Sequence, residues 1–450
     1  MARLFGTDGV RGVANQELTP DLAFQLGFAA AHVLAEDKPL KKTVLVGRDT
    51  RISGEMLESA LVAGLCSAGA DAIVAGVVST PGVAWLTRSL GCDAGAVISA
   101  SHNPFEYNGI KFFSREGYKC PDDVEDEIEA SIRSFKNEAP RPVGKEIGRR
   151  SERHELAWSY AQNLLEHFGL DLSGMKIGLD CANGAAFESA PRIFRELGAD
   201  LLLTGVEPDG LNINRGVGST HIEHLAELVR KNQLDLGLAF DGDADRLIAV
   251  DDKGEVVDGD VMMAVLALDM KKHGELHDNA LVVTVMSNLA VDIFAKENGI
   301  KLLKTKVGDR YVLEEMLKYD YSLGGEQSGH MIFLQDATTG DGQLSALKLL
   351  HSIKRSNEKL SELRKIIRIL PQVLINAKVP DDKKSSCMQD PDVLAASQRI
   401  RDKLGDKGRL LLRPSGTEPY VRVMLEGEDH DEIQDLAEGL ANLINSKFAS

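Results

Sequence analysis

The segment Ile98-Ser99-Ala100-Ser101-His102-Asn103-Pro104 is the part of the chain best suited to covalent chemistry. An apolar run over 91–97 precedes it and reads as a strand; Asn108-Gly109 reads as a turn into a second strand, Ile110-Lys111-Phe112-Phe113. Ser101 is therefore expected on a loop at a strand end, where a hydroxyl is exposed and rigidly held. His102 and Lys111 add cations or acid/base groups near it. Downstream, Asp241-Gly242-Asp243-Ala244-Asp245-Arg246 sets three carboxylates at alternate positions next to an arginine. Oxygen donors in that pattern suit a hard divalent cation. A serine that carries a phosphoryl group and an acidic trio that holds Mg²⁺ are what phosphoryl transfer through a covalent intermediate needs.

The acidic trio does not read as an EF-hand loop. Its sixth position is Arg246 rather than Gly, its twelfth is Asp252 rather than Glu, and no helix precedes it. A solvated acidic turn fits poorly too, because three like charges between apolar strands repel one another without a cation. Gly324-Gly325-Glu326-Gln327-Ser328-Gly329-His330 is a Gly-rich turn with an acid, a hydroxyl and an imidazole, donors and acceptors that a sugar requires. Arg413-Pro414-Ser415-Gly416-Thr417-Glu418-Pro419, with Arg422 nearby, looks like a phosphate cradle. It lacks the GxxxxGK[ST] pattern of a nucleotide P-loop. Phe5-Gly6-Thr7-Asp8-Gly9-Val10-Arg11-Gly12 puts Arg11 in a mobile, Gly-rich context. Arg48 and Arg51 add cationic reach, directed either to a ligand or to salt bridges with Asp8 or Asp49.

A recurrent pattern must position these loops. Three times an apolar strand leads through a polar loop to an amphipathic helix, a Gly-containing turn and another strand: over 43–77, 176–203 and 280–303. Strands alternating with helices predict α/β layers with largely parallel pairing, and three copies predict three related domains. A buried strand is expected over 234–240, before the acidic trio, and a hairpin over 247–257 after it. Beyond about residue 370, strands over 373–377, 409–412 and 420–425 and a helix over 431–447 predict a small α+β domain. The expected domains span 1–150, 151–254, 255–368 and 369–450, with linkers at 136–153 and 365–371.

The 450 residues suit roughly three or four domains. A net charge of −17 argues against nucleic acid or an anionic membrane as partner. Local arginine and lysine clusters leave an anionic small substrate open. No secretory leader or spanning segment is recognisable. Cys66, Cys92, Cys120, Cys181 and Cys387 are scattered without metal spacing, as expected of reduced thiols in a cytoplasmic protein.

Taken together, SASHNP, DGDADR, GGEQSGH and RPSGTEP resemble the α-D-phosphohexomutase superfamily across essentially the whole chain. FGTDGVRG at Phe5, Val283 to Leu289, Val307 to Val312 and Thr338 to Gly342 resemble its bacterial phosphoglucosamine mutase branch. The resemblance implies three related α/β domains and a smaller C-terminal α+β domain around a central cleft. It implies Ser101 as phosphoserine, and Mg²⁺ held by Asp241, Asp243, Asp245 and the Ser101 phosphate. Glu326 and Ser328, with Arg246, would bind the sugar; Arg413, Ser415, Gly416, Thr417 and Arg422 would hold the non-reacting phosphate. Arg11, His102, Lys111 and His330 would surround the reacting centre, the general acid and base among them being left open. The implied reaction interconverts glucosamine 6-phosphate and glucosamine 1-phosphate, with a glucose or glucosamine 1,6-bisphosphate as intermediate or primer, and feeds UDP-N-acetylglucosamine and peptidoglycan precursor synthesis. The partner is a phosphosugar, and a homodimer is compatible with the resemblance. Tyr107 and Val217 stand where the family commonly has aspartate and cysteine; neither is an expected ligand. The competing readings are a phosphomannomutase or phosphoglucomutase with the same chemistry, a Mg²⁺ phosphatase, and a non-catalytic phosphosugar-binding regulator.

Overall fold

Every residue of the strands Ala94–Ile98, Leu236–Phe240 and Ala280–Thr284 is buried. Continuous apolar runs of this kind belong to sheets covered on both faces. In the strand Thr43–Arg48 the alternation is visible: Val44 and Val46 enter one core and Leu45 another. The computed structural model describes residues 3–6, 8–34, 41–134, 141–415 and 418–449. Among these, no helix is long and apolar enough to cross a membrane.

The first sheet has six strands in the order Val10–Val13, Tyr107–Ser114, Ala94–Ile98, Thr43–Arg48, Asp71–Val77 and Arg150–Glu152. The second runs Val256–Val257, Leu247–Val250, Leu236–Phe240, Lys176–Asp180 and Asp200–Thr204. The third runs Lys301–Thr305, Ala280–Thr284, Leu323–Gly325 and Met331–Phe333. The predicted parallel pairing holds within each strand–helix–strand repeat. All three sheets share one departure from it. A strand lying parallel to the repeat turns back into an antiparallel partner: Ala94–Ile98 into Tyr107–Ser114, Leu236–Phe240 into Leu247–Val250, and Leu323–Gly325 into Met331–Phe333. The serine loop, the acidic loop and the Gly-rich loop are the connections of these three hairpins.

Three local expectations need correction. Asn108 and Gly109 do not form a turn; they lie within the strand Tyr107–Ser114 and pair with Gly12 and Arg11. For the same reason Arg11 is not mobile, since its backbone is fixed in the strand Val10–Val13. The expected linker over 136–153 is partly sheet, because Arg150–Glu152 pairs in parallel with Asp71–Val77. Residues 136–140 of that stretch lie outside the described residues.

The C-terminal region forms a three-stranded antiparallel sheet, Gln372–Lys378, Tyr420–Gly427 and Gly408–Pro414, with Tyr420–Gly427 in the centre. Val373 and Ala377 are buried and Leu374 is exposed, the alternation of a sheet with one wet face. The helices Pro391–Leu404 and His430–Phe448 supply its core through Val393, Ile400, Ile433, Ala437 and Ile444. The first of these helices was not anticipated, although Asp390-Pro391 is a standard start: the Asp390 carboxylate accepts from the amides of Asp392 and Val393. The chain divides into two compact units, Met1–Met286 with Ile300–Lys365, and Ser287–Gly299 with Ile366–Ser450. The helix Leu289–Glu297 thus groups with the C-terminal unit. Glu426, fully buried on the central strand, accepts from the Leu289 amide at 2.9 Å and pairs with Arg409 at 3.0 Å.

Candidate active site

The larger unit brings the three hairpin loops together. The Ser101 hydroxyl donates to Asp241 Oδ2 at 2.6 Å, although 140 residues separate them. Gly242 lets the loops touch, because a Cβ there would collide with the Ser101 carbonyl oxygen. The acidic loop meets the Gly-rich loop through a bridge between Arg246 and His330 and a hydrogen bond from the Leu247 amide to the Gly329 carbonyl, 3.0 Å. Ser101 is buried rather than exposed as expected, because the acidic loop packs over it, and its φ of 52° is a left-handed conformation that serine rarely adopts.

Asp241, Asp243 and Asp245 are all buried, and each offers an oxygen within 4.8 Å of the others. Asp243 Oδ1 and Asp245 Oδ1 are buried without a hydrogen-bond partner. Burial, then Asp245 and Asp243, push the Asp241 carboxyl well up; burial and Asp243 raise Asp245. Orphaned oxygens and mutual repulsion are what a divalent cation would relieve, and the hard oxygen donors fit one. Asp243 is the exception. Burial opposes its charge, but Lys111 at 3.2 Å and the Thr80 hydroxyl at 2.7 Å hold it low.

A chain of close polar contacts runs from Asp243 round to Asp245. Lys111 reaches Asp243 and, at 3.1 Å, Asp8. Asp8 pairs with Arg11 and, at 3.0 Å, with Lys119; Lys119 pairs with Asp309; Asp309 lies 3.4 Å from His330 Nε2, which lies 3.8 Å from Asp245. Burial opposes the Lys111 charge, yet Asp243 and Asp8 more than compensate, so it stays an ammonium. His102, with Nδ1 3.3 Å from the Ser101 hydroxyl, is pushed down to about 4 by burial, Arg246 and Arg11. Its imidazole is therefore neutral at physiological pH. Arg246 is held charged by Asp245 and Asp241 against the effect of its burial.

Glu326 Oε1 accepts from the Gly308 amide at 3.1 Å, and Ser328 is exposed on the same turn. In the C-terminal unit Arg413 and Arg422 stand directly opposite on neighbouring strands, so both side chains share one face. Burial and the Arg422 charge lower the proton affinity of Arg413, the mark of two cations held close. Arg422 pairs with Glu418 at 2.8 Å, and Ser415 is buried beside them. Gly416 and Thr417, expected in this cradle, lie outside the described residues. Arg51 takes the salt bridge to Asp49 (2.8 Å), and Arg48 binds Glu55 and Glu58 rather than Asp8.

Sequence reasoning assigned no role to Thr80, Lys119 or Asp309, and offered Asp8 only as a salt-bridge partner of Arg48 or Arg51. Asp8 and Asp309 sit inside motifs already noted; nothing local distinguishes Lys119 or Thr80, whose partners are at least 111 residues away.

Domain I of the phosphoglucomutase/phosphomannomutase family matches residues 2–139, domain II 159–254, domain III 258–368 and the C-terminal domain 374–443. The chain belongs to this family. A phosphoglucosamine mutase of Thermoanaerobacter sp. (strain X514) is 56% identical over 448 residues, covering 100% of both chains. One from Clostridium acetobutylicum is 55% identical over 447 residues, covering 99% of this chain and 100% of its own. A family member of known structure from Burkholderia thailandensis shares the fold, with a TM-score of 0.81 at 23% identity, covering 99% of this chain and 98% of its own. The family architecture thus places its four domains in the chain order seen here.

Behind the acidic loop, Asp341 caps the helix Gly342–Ser356 through the Leu344 amide (3.0 Å) and accepts from the Tyr160 hydroxyl at 2.5 Å. Burial pushes its carboxyl up to about 6. An unfolded aspartate titrates near 4, so the folded state binds the proton more tightly. Stability from this group is complete below about pH 4, declines to about pH 6 and is flat above. Relative to Asp341→Asn, the wild type should lose on the order of 2–3 kcal/mol over that interval. Urea unfolding of both proteins at pH 4, 5, 6 and 7 measures it; a constant difference would place the ionisation elsewhere.

Proposed function

We propose that this enzyme interconverts glucosamine 6-phosphate and glucosamine 1-phosphate, with phosphorylated Ser101 as phosphoryl donor and acceptor. The carrying observation is the Ser101 hydroxyl against the buried aspartate trio. The relatives' activity supports the amino sugar as substrate. In the first half-reaction the Ser101 O–P bond breaks as a bond forms to the free sugar hydroxyl, giving a bound 1,6-bisphosphate. The sugar hydroxyl gives up its proton to a base, and the departing Ser101 oxygen takes up a proton to become a hydroxyl; His102, with Nδ1 3.3 Å from that hydroxyl, is placed beside it. After the intermediate turns round, Ser101 gives up its proton as it takes the other phosphate, and the freed sugar oxygen is protonated. Asp241, Asp243 and Asp245 would hold Mg²⁺, which when bound neutralises charge on the transferring group. Lys111 and Arg11 contribute fixed positive charge beside it. His330 orients groups around Asp245 and Asp309. Glu326, Ser328 and Arg246 bind the sugar, and Arg413, Ser415 and Arg422 bind whichever phosphate is not being transferred.

Because either phosphate must be accepted in turn, Arg413→Ala should raise KM for both isomers by about 10- to 100-fold, the worth of a charge-assisted hydrogen-bond pair. Steady-state kinetics in each direction checks this; a change for one isomer alone would refute a shared cradle. The assignment itself is tested by a coupled assay with Mg²⁺ on glucosamine, glucose and mannose 1- and 6-phosphates, with phosphate release followed in parallel. Preference for the glucosamine pair is expected. Preference for glucose or mannose would keep the mechanism and change the substrate, and phosphate release without isomerisation would make the protein a phosphatase.

A further inference from the structure

A left-handed serine is strained and persists only where its surroundings over-determine it. At Ser101 the surroundings are two side chains that leave its hydroxyl to Asp241 and His102. Arg51 is fully buried. Its Nε donates to Asp49 Oδ2 at 2.8 Å. Its Nη2 donates to the carbonyls of Ser101 (2.9 Å) and Asn103 (2.8 Å), and its Nη1 to those of Tyr107 (3.1 Å) and Pro104. All five guanidinium donors are used, four of them on the carbonyls of one loop. Asp49 Oδ2 also accepts from the Ser99 hydroxyl at 2.6 Å, and Ser99 Oγ accepts from the Ser101 amide at 3.0 Å. The amide and carbonyl of Ser101 are therefore the two ends of one closed circuit through Ser99, Asp49 and Arg51. Asn214, from the second module, adds a clasp: its Nδ2 donates to the carbonyls of Ser101 (2.8 Å) and Asn103 (3.0 Å).

We infer that Arg51 and Asn214 are positioning residues that hold the Ser101 peptide so that its hydroxyl oxygen occupies one place in both half-reactions. This rests on reading Ser101 as the phosphoryl carrier. In-line transfer with little covalent assistance from the protein depends on placement, and the same oxygen must serve two different sugar hydroxyls. A lysine at 51 would keep the charge beside Asp49. Its compact ammonium, with three donors, would release part of the loop. A glycine at 214 keeps the left-handed backbone, φ 58° in the wild type, and removes only the clasp.

The test uses the full-length enzyme with Mg²⁺ and glucose 1,6-bisphosphate, comparing wild type, Arg51→Lys, Asn214→Gly and Ser101→Ala. It reads kcat and KM for glucosamine 1-phosphate, the thermal midpoint, and the rate of Ser101 phosphorylation by intact mass. Misplacement of a reacting atom by an ångström can cost about 100-fold. We expect kcat and the phosphorylation rate to fall together, about 10-fold in Asn214→Gly and about 100-fold in Arg51→Lys, with KM within about threefold. A purely structural role would lower the thermal midpoint and leave kcat of the folded protein within threefold, which would overturn the inference, as would a loss confined to KM. If Arg51→Lys does not fold, Asn214→Gly decides alone. Turnover that survives in Ser101→Ala would overturn the phosphoserine reading instead.

Discussion

Ser101→Ala should lower kcat by on the order of 10⁴-fold or more, the scale on which loss of a covalent nucleophile is felt. Sugar-phosphate affinity should change little, because the side chains assigned to the sugar and to the fixed phosphate are untouched. Cation affinity should fall to that of the three aspartates, since Asp241, Asp243 and Asp245 remain while the ligand expected from the Ser101 phosphate is lost. Isothermal titration with glucosamine 6-phosphate and with Mn²⁺, beside the isomerisation assay, separates these quantities. Near-normal turnover would remove Ser101 from the reaction, and lost binding of both ligands would show that the substitution had disturbed the loop.

Removing the divalent cation should have the next largest effect. Stabilising charge at the transferring phosphoryl is worth several kcal/mol, so chelation, or Asp243→Asn, should lower kcat by roughly 10³-fold. Chelation should be reversed by Mg²⁺. Asp243→Asn should not be rescued at any Mg²⁺ concentration that saturates the wild type. The substitution also frees Lys111 and Thr80 from their shared acceptor, so Mn²⁺ titration supplies the direct readout: affinity falls as activity does. Full activity in chelator, with the cation shown to be absent, would mean that the trio serves another purpose.

The candidate loops were legible because their signal is local. Ser101 before Asn-Pro, three aspartates at alternate positions, a Gly-rich turn bearing Glu326 and His330, and an arginine–serine–threonine turn each state a donor set within a few residues. The strand–helix repeats were legible for the same reason, since a buried strand and an amphipathic helix each write their period into ten or so residues. Less legible was what joins them. Arg11 sat among glycines that read as mobile, whereas pairing with a strand almost a hundred residues away fixes it. Arg51 was balanced between ligand and salt bridge; the geometry makes it a fork on the serine loop.

The sequence by itself determined the chemical inventory, the α/β modules, the α+β C-terminal region and the family. Only the packed structure shows that the three candidate loops are the same hairpin in three sheets. It also linked Lys111, Asp8, Lys119 and Asp309 into one chain of ion pairs beside the aspartates. The physical reason is range. Propensity, periodicity and turn chemistry act over a few residues, whereas the partners of a buried charge are chosen by which chain segments pack together. That choice leaves no mark in the neighbouring residues.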